Sequence, residues 1–520
     1  MNKRQRRIHL ATMVQAAAER NPSGPITLDK PLSVRPELGT RFTVADLAAV
    51  VDMLRAKLHA CGIRAGERVA VYKTNNADIL AITCALAGLG AIPVLVSPAV
   101  PGPIAAQLVQ RAQPRHILTD AGKIASGDVD PDGYRQVTPS VLLTGGSAEG
   151  LQSLDGVVAG VVPPLPDFDT DGPCIITHTS GTTGVPKLVE QSARGLAAHI
   201  RIQRRIATLF GIREPWALCV SFVHARTYSA LAVGLLRHIP FAFLADHDVA
   251  TVRRVFREFR PGLVETHPNT FVQWEPLAED PDRPLSSVRY YISTFDAIHP
   301  RTVRILLGAS DRRGAIYFQA YGQTETGPVT VRLYTRRGAR RAHGRCVGYG
   351  IPGLTRVRLR NGRRAPSHIE VRSKGRGLTY VGEEGRFTGQ LDGTWWNMGD
   401  LGYRGKWQCV HLLDREVDRM DGLDSVLEAE DTLMTLVPEL TEVVLVEAAS
   451  GGILPVVCTR DDRPLDPGAW AAACVDLPVM QPPLHTTWDR LPLTATFKVK
   501  RVELQRLVQD GRLPALAAER

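Results

Sequence analysis

The sequence predicts an α/β protein of two or more domains, in which parallel sheets are covered by helices. Two observations support this prediction. At 520 residues the chain is too long for one ordinary hydrophobic core. Short apolar runs also alternate with helical periodicity along most of its length, which is a rhythm typical of parallel sheets with helices on their faces.

The first predicted elements lie in the N-terminal fifth of the chain. Thr43 and Asp46 have the spacing of a capping box, which predicts a helix that begins after Thr43 and ends near Ala60. Apolar runs and glycine turns then predict a strand at 69–72, a helix at 77–87 and a strand at 92–96.

The same rhythm recurs between residues 174 and 318, and one helix is predicted close to the C-terminus. The predicted strands are 174–176, 216–221, 241–244, 263–266, 289–292 and 315–318, and the predicted helices are 228–237 and 502–508.

Composition and charge narrow the class of protein. Hydrophobic residues make up 44% of the chain and charged residues 22%, as in soluble globular proteins. The net charge of +10 comes from scattered basic residues, 53 arginines and 10 lysines, without an interleaved aromatic stripe. We therefore interpret the charge as solvated surface and expect no nucleic-acid partner.

The cysteines and the apolar runs indicate the cellular location of the protein. The eight cysteines form no C-x-x-C pair, and several lie in apolar runs, which favours free buried thiols in a reducing cytosol over disulfides or a metal cage. No apolar signal core follows the basic N-terminus, and the apolar stretch 79–96 is broken by two glycines and a proline. We expect a cytoplasmic protein without a membrane span.

The most informative segment is 179–187, which reads TSGTTGVPK. Glycines let backbone N–H groups approach phosphate oxygens, hydroxyls donate hydrogen bonds, and a lysine supplies a compact charge. The position of the lysine differs from that in a Walker A loop. We predict a polyphosphate-binding loop, with a functionless polar loop as the alternative; its residues are Thr179, Ser180, Gly181, Thr182, Thr183, Gly184 and Lys187.

A second candidate segment, 319–327, combines an aromatic ring, two hydroxyls and a carboxylate in the sequence QAYGQTETG. The ring of Tyr321 could stack on a nucleobase. The carboxylate of Glu325 could hold Mg²⁺, a hard cation that prefers oxygen ligands. The alternative is a polar turn that follows a strand.

Two further segments complete the set. In 395–403, Asp400 stands on a glycine turn, where a carboxylate could accept both hydroxyls of a ribose; an ordinary turn aspartate is the alternative. In 492–501, Lys498 could reach an α-phosphate and an attacking carboxylate if the C-terminal segment is mobile, and a plain surface lysine is the alternative.

Taken in this order, these segments resemble the motifs of the superfamily of acyl-CoA synthetases, peptide-synthetase adenylation domains and luciferases, over residues 42–501. The resemblance implies that a carboxylate attacks the α-phosphate of Mg-ATP, giving an acyl-adenylate and pyrophosphate. A thiol, usually coenzyme A, then displaces AMP. ATP, Mg²⁺ and coenzyme A are therefore the implied cofactors.

The resemblance also implies a domain plan. Residues 1–413 would form a large domain of two sheet-and-helix subdomains with a small β-rich part after residue 344. Residues 414–417 would be a hinge, and 418–520 a smaller mobile α+β lid that carries the catalytic lysine.

Each candidate residue has an implied role. The loop 179–187 would hold the β- and γ-phosphates. The remaining roles are Thr324 for the α-phosphate, Glu325 and Thr182 for Mg²⁺, Tyr321 and Gly322 for adenine, Asp400 and Arg415 for the ribose, Lys498 for the carboxylate and α-phosphate, and His224 as the guard of the acyl pocket.

The chain departs from the family pattern at several positions, where bulk or an apolar side chain replaces a small or polar one. The thioester-forming parts match less well than the adenylation parts. The departures are Leu188, Phe295, Asp296, Met398, Val417 and Phe497.

The function predicted from the sequence is that of an AMP-forming acid–thiol ligase, which activates a carboxylic acid and transfers it to coenzyme A. Four alternatives stay open: an enzyme of one half-reaction only, an enzyme that loads a separate acyl carrier protein, a non-catalytic binding relative and, on charge alone, a nucleic-acid-binding protein. The sequence predicts neither the acid nor the oligomeric state.

Overall fold

The computed structural model describes residues 3–181, 184–294, 297–340, 345–360, 366–405, 407–494 and 496–516, and over these it contains 24 strands and 17 α-helices. The strands are β1 (Pro25–Leu28), β2 (Arg41–Thr43), β3 (Arg68–Val71), β4 (Ile92–Leu95), β5 (His116–Thr119), β6 (Ser140–Leu143), β7 (Gln152–Ser153), β8 (Pro173–His178), β9 (Leu188–Ser192), β10 (Trp216–Cys219), β11 (Phe241–Phe243), β12 (Leu263–Thr266), β13 (Tyr290–Ser293), β14 (Ile316–Gln323), β15 (Gly327–Thr335), β16 (Cys346–Gly350), β17 (Thr355–Leu359), β18 (Ser367–Ser373), β19 (Leu391–Asp392), β20 (Trp395–Arg404), β21 (Val410–Arg415), β22 (Leu440–Glu447), β23 (Ile453–Thr459) and β24 (Leu484–His485).

The helices connect these strands and cover their faces. They are α1 (Lys3–Arg6), α2 (Met13–Ala18), α3 (Val44–Ala60), α4 (Asp78–Gly88), α5 (Gly102–Ala112), α6 (Ala121–Ala125), α7 (Pro131–Arg135), α8 (Ala193–Leu209), α9 (Ala225–Leu236), α10 (Val249–Phe259), α11 (Pro268–Gln273), α12 (Pro300–Ala309), α13 (Arg336–Ala339), α14 (Glu384–Thr388), α15 (Val426–Leu436), α16 (Pro467–Ala473) and α17 (Arg501–Gln509). None of the described helices is both long and apolar enough to cross a bilayer.

The first sheet has seven strands in the order β7-β6-β5-β3-β4-β8-β9. All its pairings are parallel except the last, in which β8 and β9 form a hairpin. Helices α3 and α4 belong to one continuous core with strand β3. The hairpin matters for the site because its loop is the predicted phosphate-binding segment.

The second sheet has fourteen strands in the order β17-β18-β20-β21-β16-β15-β14-β13-β12-β10-β11-β1-β2, with β19 paired to β20. Its centre, from β11 to β14, is parallel, and its β15 to β21 end is antiparallel. Strand β16 pairs with both β15 and β21. The β-rich part predicted after residue 344 is therefore an extension of this sheet and does not form a sheet of its own.

A third, three-stranded sheet, β22-β23-β24, forms the core of the C-terminal part together with α15, α16 and α17. This part lies against the second sheet. The buried carboxylate of Glu275 binds Arg460 at 2.6 Å and Arg301 at 3.2 Å, and Arg301 also donates to the carbonyl of Leu440 at 3.2 Å. These contacts hold the C-terminal segment next to the large sheets.

The predicted α/β class is confirmed, and most predicted elements occur within three residues of their observed bounds. Two local expectations were wrong. Residues 319–323 continue strand β14, because β15 pairs along its whole length. Asp400 lies inside β20 and not in a turn; the strand is irregular there, with Gly399 at φ +71° and a register shift after Asp400.

The capping box at the start of α3 is present, and it yields a prediction on stability. The Asp46 N–H donates to Thr43 Oγ1 at 3.2 Å, and the Thr43 N–H donates to the Asp46 carboxylate at 2.8 Å. Replacement of Thr43 by Ala should lower the free energy of unfolding by about 1 kcal/mol, measured by urea denaturation. The control Thr432→Ala, a half-buried position of α15 whose hydroxyl donates to the Glu428 carbonyl of the same helix, should change it by less than about 0.5 kcal/mol. Equal effects would contradict the role of the cap.

Candidate active site

A cavity of about 710 Å³ lies where the two large sheets and the C-terminal segment meet. Most of the residues singled out in the sequence line it, although they come from five separate segments. The predicted residues on its wall are Thr179, Ser180, Gly181, Gly184, Lys187, His224, Gly322, Thr324, Glu325, Arg415 and Lys498. Thr182, Thr183, Phe295 and Asp296 lie outside the described residues.

The segment 179–187 is the loop of the β8–β9 hairpin, closed at its base by two hydrogen bonds. The Thr179 N–H donates to the Lys187 carbonyl at 2.9 Å, and the Lys187 N–H donates to Thr179 Oγ1 at 3.0 Å. Gly181 has φ +69°, and a Cβ there would lie 2.9 Å from the Gly184 carbonyl oxygen. This position therefore requires glycine, and the loop can present backbone N–H groups to an anion.

The Glu325 carboxylate is buried beside this loop. Tyr380 Oη donates to Glu325 Oε1 at 2.5 Å, and the Lys187 ammonium lies 5.1 Å from the centre of the Tyr380 ring. Burial lowers the pKa of Lys187, while the charge of Glu325 acts in the opposite direction. The arrangement leaves Glu325 Oε2 for a hard cation and places a lysine charge within reach of a phosphate.

No motif in the sequence points to Tyr380. Its segment is brought in by backbone pairing: the Leu378 N–H donates to the Glu190 carbonyl at 2.8 Å, and the Gly377 N–H donates to the Glu325 carbonyl at 2.7 Å. These bonds join the first sheet to the turn between β14 and β15. An isolated tyrosine in a short unpatterned stretch is no signal by itself, so only the tertiary structure identifies it.

The turn that carries Thr324 is fixed from two sides. Gln191 Nε2 donates to the Thr324 carbonyl at 3.4 Å, and Gln323 Nε2 donates to the Met398 carbonyl at 3.2 Å. Met398, which departs from the family pattern, is buried in the core of the antiparallel end of the sheet. The side chain that replaces a hydroxyl there supports the turn by packing.

The structure brings Asp400 and Arg415 together. They are cross-strand neighbours in β20 and β21, and Arg415 Nε lies 3.5 Å from Asp400 Oδ1. Tyr321 Oη donates to Asp400 Oδ2 at 2.5 Å. Of these three, Arg415 lines the cavity, whereas Tyr321 and Asp400 lie behind its wall. Burial raises the pKa of Tyr321, so its phenol remains a donor to the carboxylate.

Lys498 reaches the cavity from the C-terminal part. The preceding Phe497 has φ +59°, a left-handed conformation that costs a residue with a side chain about 1–3 kcal/mol. Its ring packs 4.4 Å from His247 and 5.7 Å from His267, and Asn269 donates to its carbonyl at 2.7 Å. Packing thus offsets the strain at a position where the related family prefers glycine.

Three buried histidines lie in a row beside the polar end of the cavity. The ring centres of His178 and His224 are 6.4 Å apart, and those of His224 and His267 are 6.5 Å apart. The Ser97 N–H donates to His178 Nε2 at 2.9 Å, so Nδ1 carries the proton that bonds the Thr179 carbonyl. Burial lowers the pKa of His267 to about 3 and that of His224 well below its usual range. His224, the predicted pocket guard, therefore lines the cavity as a neutral imidazole.

The other end of the cavity is apolar and contains one ion pair. Its apolar walls come from Leu196, Ile202, Ile206, Ile212, Trp216, Val233, Leu263 and Phe318. Arg226 binds the fully buried Glu265 through two bonds, Nε to Oε1 at 2.5 Å and Nη2 to Oε2 at 2.6 Å. The third Arg226 nitrogen, Nη1, donates to Gln203 Oε1. The pair is neutral overall, so this end of the cavity carries polarity without net charge.

His199 supports the wall between the two ends. Its Nε2–H donates to the Gly375 carbonyl at 3.1 Å, and a Cβ at Gly375 would lie only 1.8 Å from Nε2. Burial lowers the pKa of His199 to about 4. No sequence motif points to His199 or Gln203, but one signal exists: they stand four residues apart on the apolar face of α8, where polar residues are unusual.

Comparisons with known proteins agree with this geometry. A sequence model of the family described as AMP-binding enzyme matches residues 14–376. The chain is 43% identical to 3-amino-2-hydroxy-4-methoxybenzoate diazotase of Streptomyces cremeus, over 97% of this chain and 96% of that one. It is 25% identical to 3-aminoavenalumate diazotase of a Streptomyces species, over 81% of this chain and 76% of that one.

One solved structure extends the comparison to the fold. The o-succinylbenzoate CoA synthetase of Bacillus subtilis, in complex with its acyl-adenylate intermediate, superimposes with a TM-score of 0.74 at 18% identity, over 95% of this chain and 97% of that one. At this identity the likeness concerns the fold.

The buried histidines predict an acid-sensitive fold. As pH falls below 6.5, His199 becomes protonated in the unfolded chain, whereas in the folded protein it stays neutral until about pH 4. The contribution of His199 to the free energy of unfolding is therefore fully present above pH 6.5 and is lost as pH falls towards 4. His199→Gln keeps a donor for the Gly375 carbonyl but cannot titrate. This variant should lose about 3 kcal/mol less of its free energy of unfolding between pH 6.5 and 4 than the parent does, measured by urea denaturation at each pH. His59→Gln, in the last turn of α3, is the control, and identical pH slopes for the two variants would refute the assignment.

Proposed function

We propose that this chain, which belongs to the AMP-binding enzyme family, is an ATP-dependent diazotase that acts on an aromatic amine carrying an acidic or hydroxyl ring substituent. As an enzyme of this family it forms an adenylate, and ATP with Mg²⁺ fits its site. In our proposal the activated oxyanion is nitrite and the acceptor is the amine nitrogen. The identity of 43% with a diazotase over nearly the whole chain supports this choice.

The observation that carries the proposal is the division of one cavity into two chemically different ends. One end gathers Lys187, Thr324, Glu325 and Lys498, and the other is an apolar slot next to Trp216. The first suits a triphosphate and a small anion, and the second suits a flat ring. Both ends open into the same 710 Å³ space, so an activated group and a ring substituent would meet between them.

In the first step an oxygen of nitrite attacks the α-phosphorus of ATP, the bond to the bridging oxygen breaks, and pyrophosphate leaves. Reactions of this type depend on positioning and on charge stabilisation. The backbone of the loop 179–187 and the ammonium of Lys187 would hold the leaving pyrophosphate. Lys498 would bring the nitrite to the α-phosphate and stabilise the charge that develops between them.

Mg²⁺ fits the residues at this end, because Glu325 is a buried carboxylate with one oxygen already bonded by Tyr380 and the other available. When bound, the cation would neutralise charge on the phosphates. Tyr380 would act on it indirectly, by fixing the orientation of the Glu325 carboxylate.

In the second step the neutral amine nitrogen attacks the nitrogen of the nitrosyl adenylate. The N–O bond to AMP breaks, AMP leaves with the electron pair, and one amine proton passes to its phosphate. The N-nitroso product tautomerises, takes up a proton and loses water to give the diazonium group. No external oxidant is required, because the amine nitrogen is oxidised and the nitrite nitrogen is reduced by the same number of electrons when they form the diazonium group.

The apolar slot would select the amine. A benzene ring fits between the aliphatic walls and Phe318, where the Arg226–Glu265 pair adds no net charge. Four of the five Arg226 N–H groups have acceptors among the described residues, on Glu265, Gln203 and Ser229. The remaining N–H would bind a hydroxyl, methoxy or carboxylate oxygen of the ring.

Transfer of a carboxylic acid to coenzyme A is the second candidate, and the polar end of the cavity favours it as well. Nitrite and a carboxylate offer the same pair of oxygens to phosphorus, so the placement of Lys498 suits either. An enzyme that makes only the adenylate, or that loads a carrier protein, would share this first step. The acceptor is what separates these functions.

Replacement of Lys498 by Ala tests the first step. The loss of one well-placed cation should slow nitrite-dependent pyrophosphate exchange into ATP by about 100- to 1,000-fold. Lys500→Ala is the matched control, because Lys500 forms an ion pair with Glu503 at 3.0 Å and lies outside the cavity wall. Exchange at a near wild-type rate in Lys498→Ala would show that another residue activates the oxyanion.

The acceptor is tested by giving the enzyme Mg-ATP, ¹⁵N-nitrite and an aminohydroxybenzoate, and by trapping the product with an electron-rich naphthylamine. We expect AMP formation that requires both nitrite and the amine, and an azo dye that carries one ¹⁵N. In a parallel reaction, the same benzoate with coenzyme A and no nitrite should give no thioester. Thioester formation there, without azo dye in the first reaction, would establish the second candidate instead.

A further inference from the structure

Outside the cavity, two thiols and an imidazole converge on neighbouring strands. Cys409 and His411 are two residues apart, so their side chains share one face of the chain at the start of β21. Cys346 begins β16 and pairs in register with His411 on the antiparallel neighbour. Cys409 Sγ lies 3.1 Å from His411 Nε2, and the three ligand atoms lie within 4.8 Å of one another.

We propose that Cys346, Cys409 and His411 bind one Zn²⁺ ion, with water in the fourth position. Two thiolates and one imidazole are the ligands that Zn²⁺ accepts, whereas Mg²⁺ and Ca²⁺ prefer oxygen. With Zn–S near 2.3 Å and Zn–N near 2.0 Å, the ligand atoms of a tetrahedral site stand about 3.5–3.8 Å apart. The observed separations, from 3.1 Å between Cys409 Sγ and His411 Nε2 to at most 4.8 Å within the cluster, bracket these values.

A glycine lies directly against the donor atoms. At Gly405 a Cβ would lie 2.4 Å from His411 Nε2 and 3.3 Å from Cys409 Sγ, so any larger residue would push the imidazole out of its position beside the thiols. The turn is held in place by the Gly405 N–H, which donates to the Cys409 carbonyl at 2.9 Å, and by Gln408 at φ +63°.

The orientation of the imidazole is also fixed. The ring of Tyr403, on the neighbouring strand β20, stacks on His411 with 4.8 Å between centres and 21° between planes. Cys346 and Cys409 are buried, at 6% and 8% exposure, and both are free thiols. The stacking of Tyr403 and the close contact with Gly405 therefore hold the imidazole in a fixed position beside the two thiols, where an ion could bind.

The position in the fold indicates what the ion would do. Strand β21 continues from His411 to Arg415, which lines the active-site cavity. Arg345, directly before Cys346, binds Asp431 of helix α15 at 2.8 Å. An ion between β16 and β21 would therefore tie the strand that presents Arg415 to the strand on which the C-terminal part rests. We assign the site a structural role that is separate from the Mg²⁺ of the reaction.

The experiment uses Co²⁺ as a spectroscopic probe of the full-length protein after treatment with a chelator. One equivalent should produce thiolate-to-cobalt absorption in the near ultraviolet and the visible bands of tetrahedral Co²⁺, and one equivalent of Zn²⁺ should abolish both. Protein purified without a chelator should contain one zinc per chain by elemental analysis. The absence of these cobalt bands in the parent protein, or a disulfide between Cys346 and Cys409 in peptide mapping, would overturn the proposal.

Variants then locate the site. Cys409→Ser and His411→Gln should each weaken Co²⁺ binding by about 100-fold or more, and Zn²⁺ should no longer raise their thermal midpoints. Gly405→Ala should weaken binding about 10-fold or more, although it changes no ligand. Cys458→Ser, a buried thiol in β23, is the matched control and should bind as the parent does. Equal binding by the parent and Cys409→Ser would place the ion elsewhere.

Discussion

Three segments that are far apart in the chain converge on the Glu325 carboxylate, and the polar end of the cavity is organised around it. Its backbone is fixed by the bond from Gly377, its side chain by the hydroxyl of Tyr380, and its charge faces Lys187. A buried carboxylate is costly unless it is bonded and paired. Glu325 therefore needs all three segments, and their meeting joins the first sheet to the second.

The second requirement is the position of the C-terminal part. Lys498 reaches the cavity because Phe497 adopts a left-handed conformation and packs between His247 and His267. The Glu275 carboxylate, bound by Arg301 and Arg460, also fixes the C-terminal part against the large sheets. The long side chain of a lysine can reach a phosphate from many backbone positions. An ordered backbone turn lowers the conformational entropy lost when the side chain is held there, and Phe497 forms that turn next to Lys498.

Positions where the chain departs from its family pattern acquire physical explanations once the packing is known. Met398 fills the core beneath the Gln323 turn, Leu188 is buried at the start of β9, and Phe497 pays for its strained backbone with ring contacts. Val417, in contrast, is 66% exposed at the cavity rim, and nothing in the structure explains its substitution. Three of the six departures, Leu188, Met398 and Phe497, therefore make packing contacts around the cavity.

The sequence by itself determined the α/β class, eleven of the 26 described helices and strands that begin before residue 318, and the segments that carry the candidate phosphate, ribose and catalytic residues. These features are local, because a hydrophobic period, a helix cap, a glycine turn or a short motif is recognisable within a few consecutive residues. The tertiary structure alone decided that the antiparallel end joins the second sheet, that Asp400 lies in a strand, and that Tyr380 binds Glu325. It also brought Cys346 to Cys409 and His411, and Arg226 to Glu265. These relations depend on long-range strand pairing and on burial, which no spacing along the chain records.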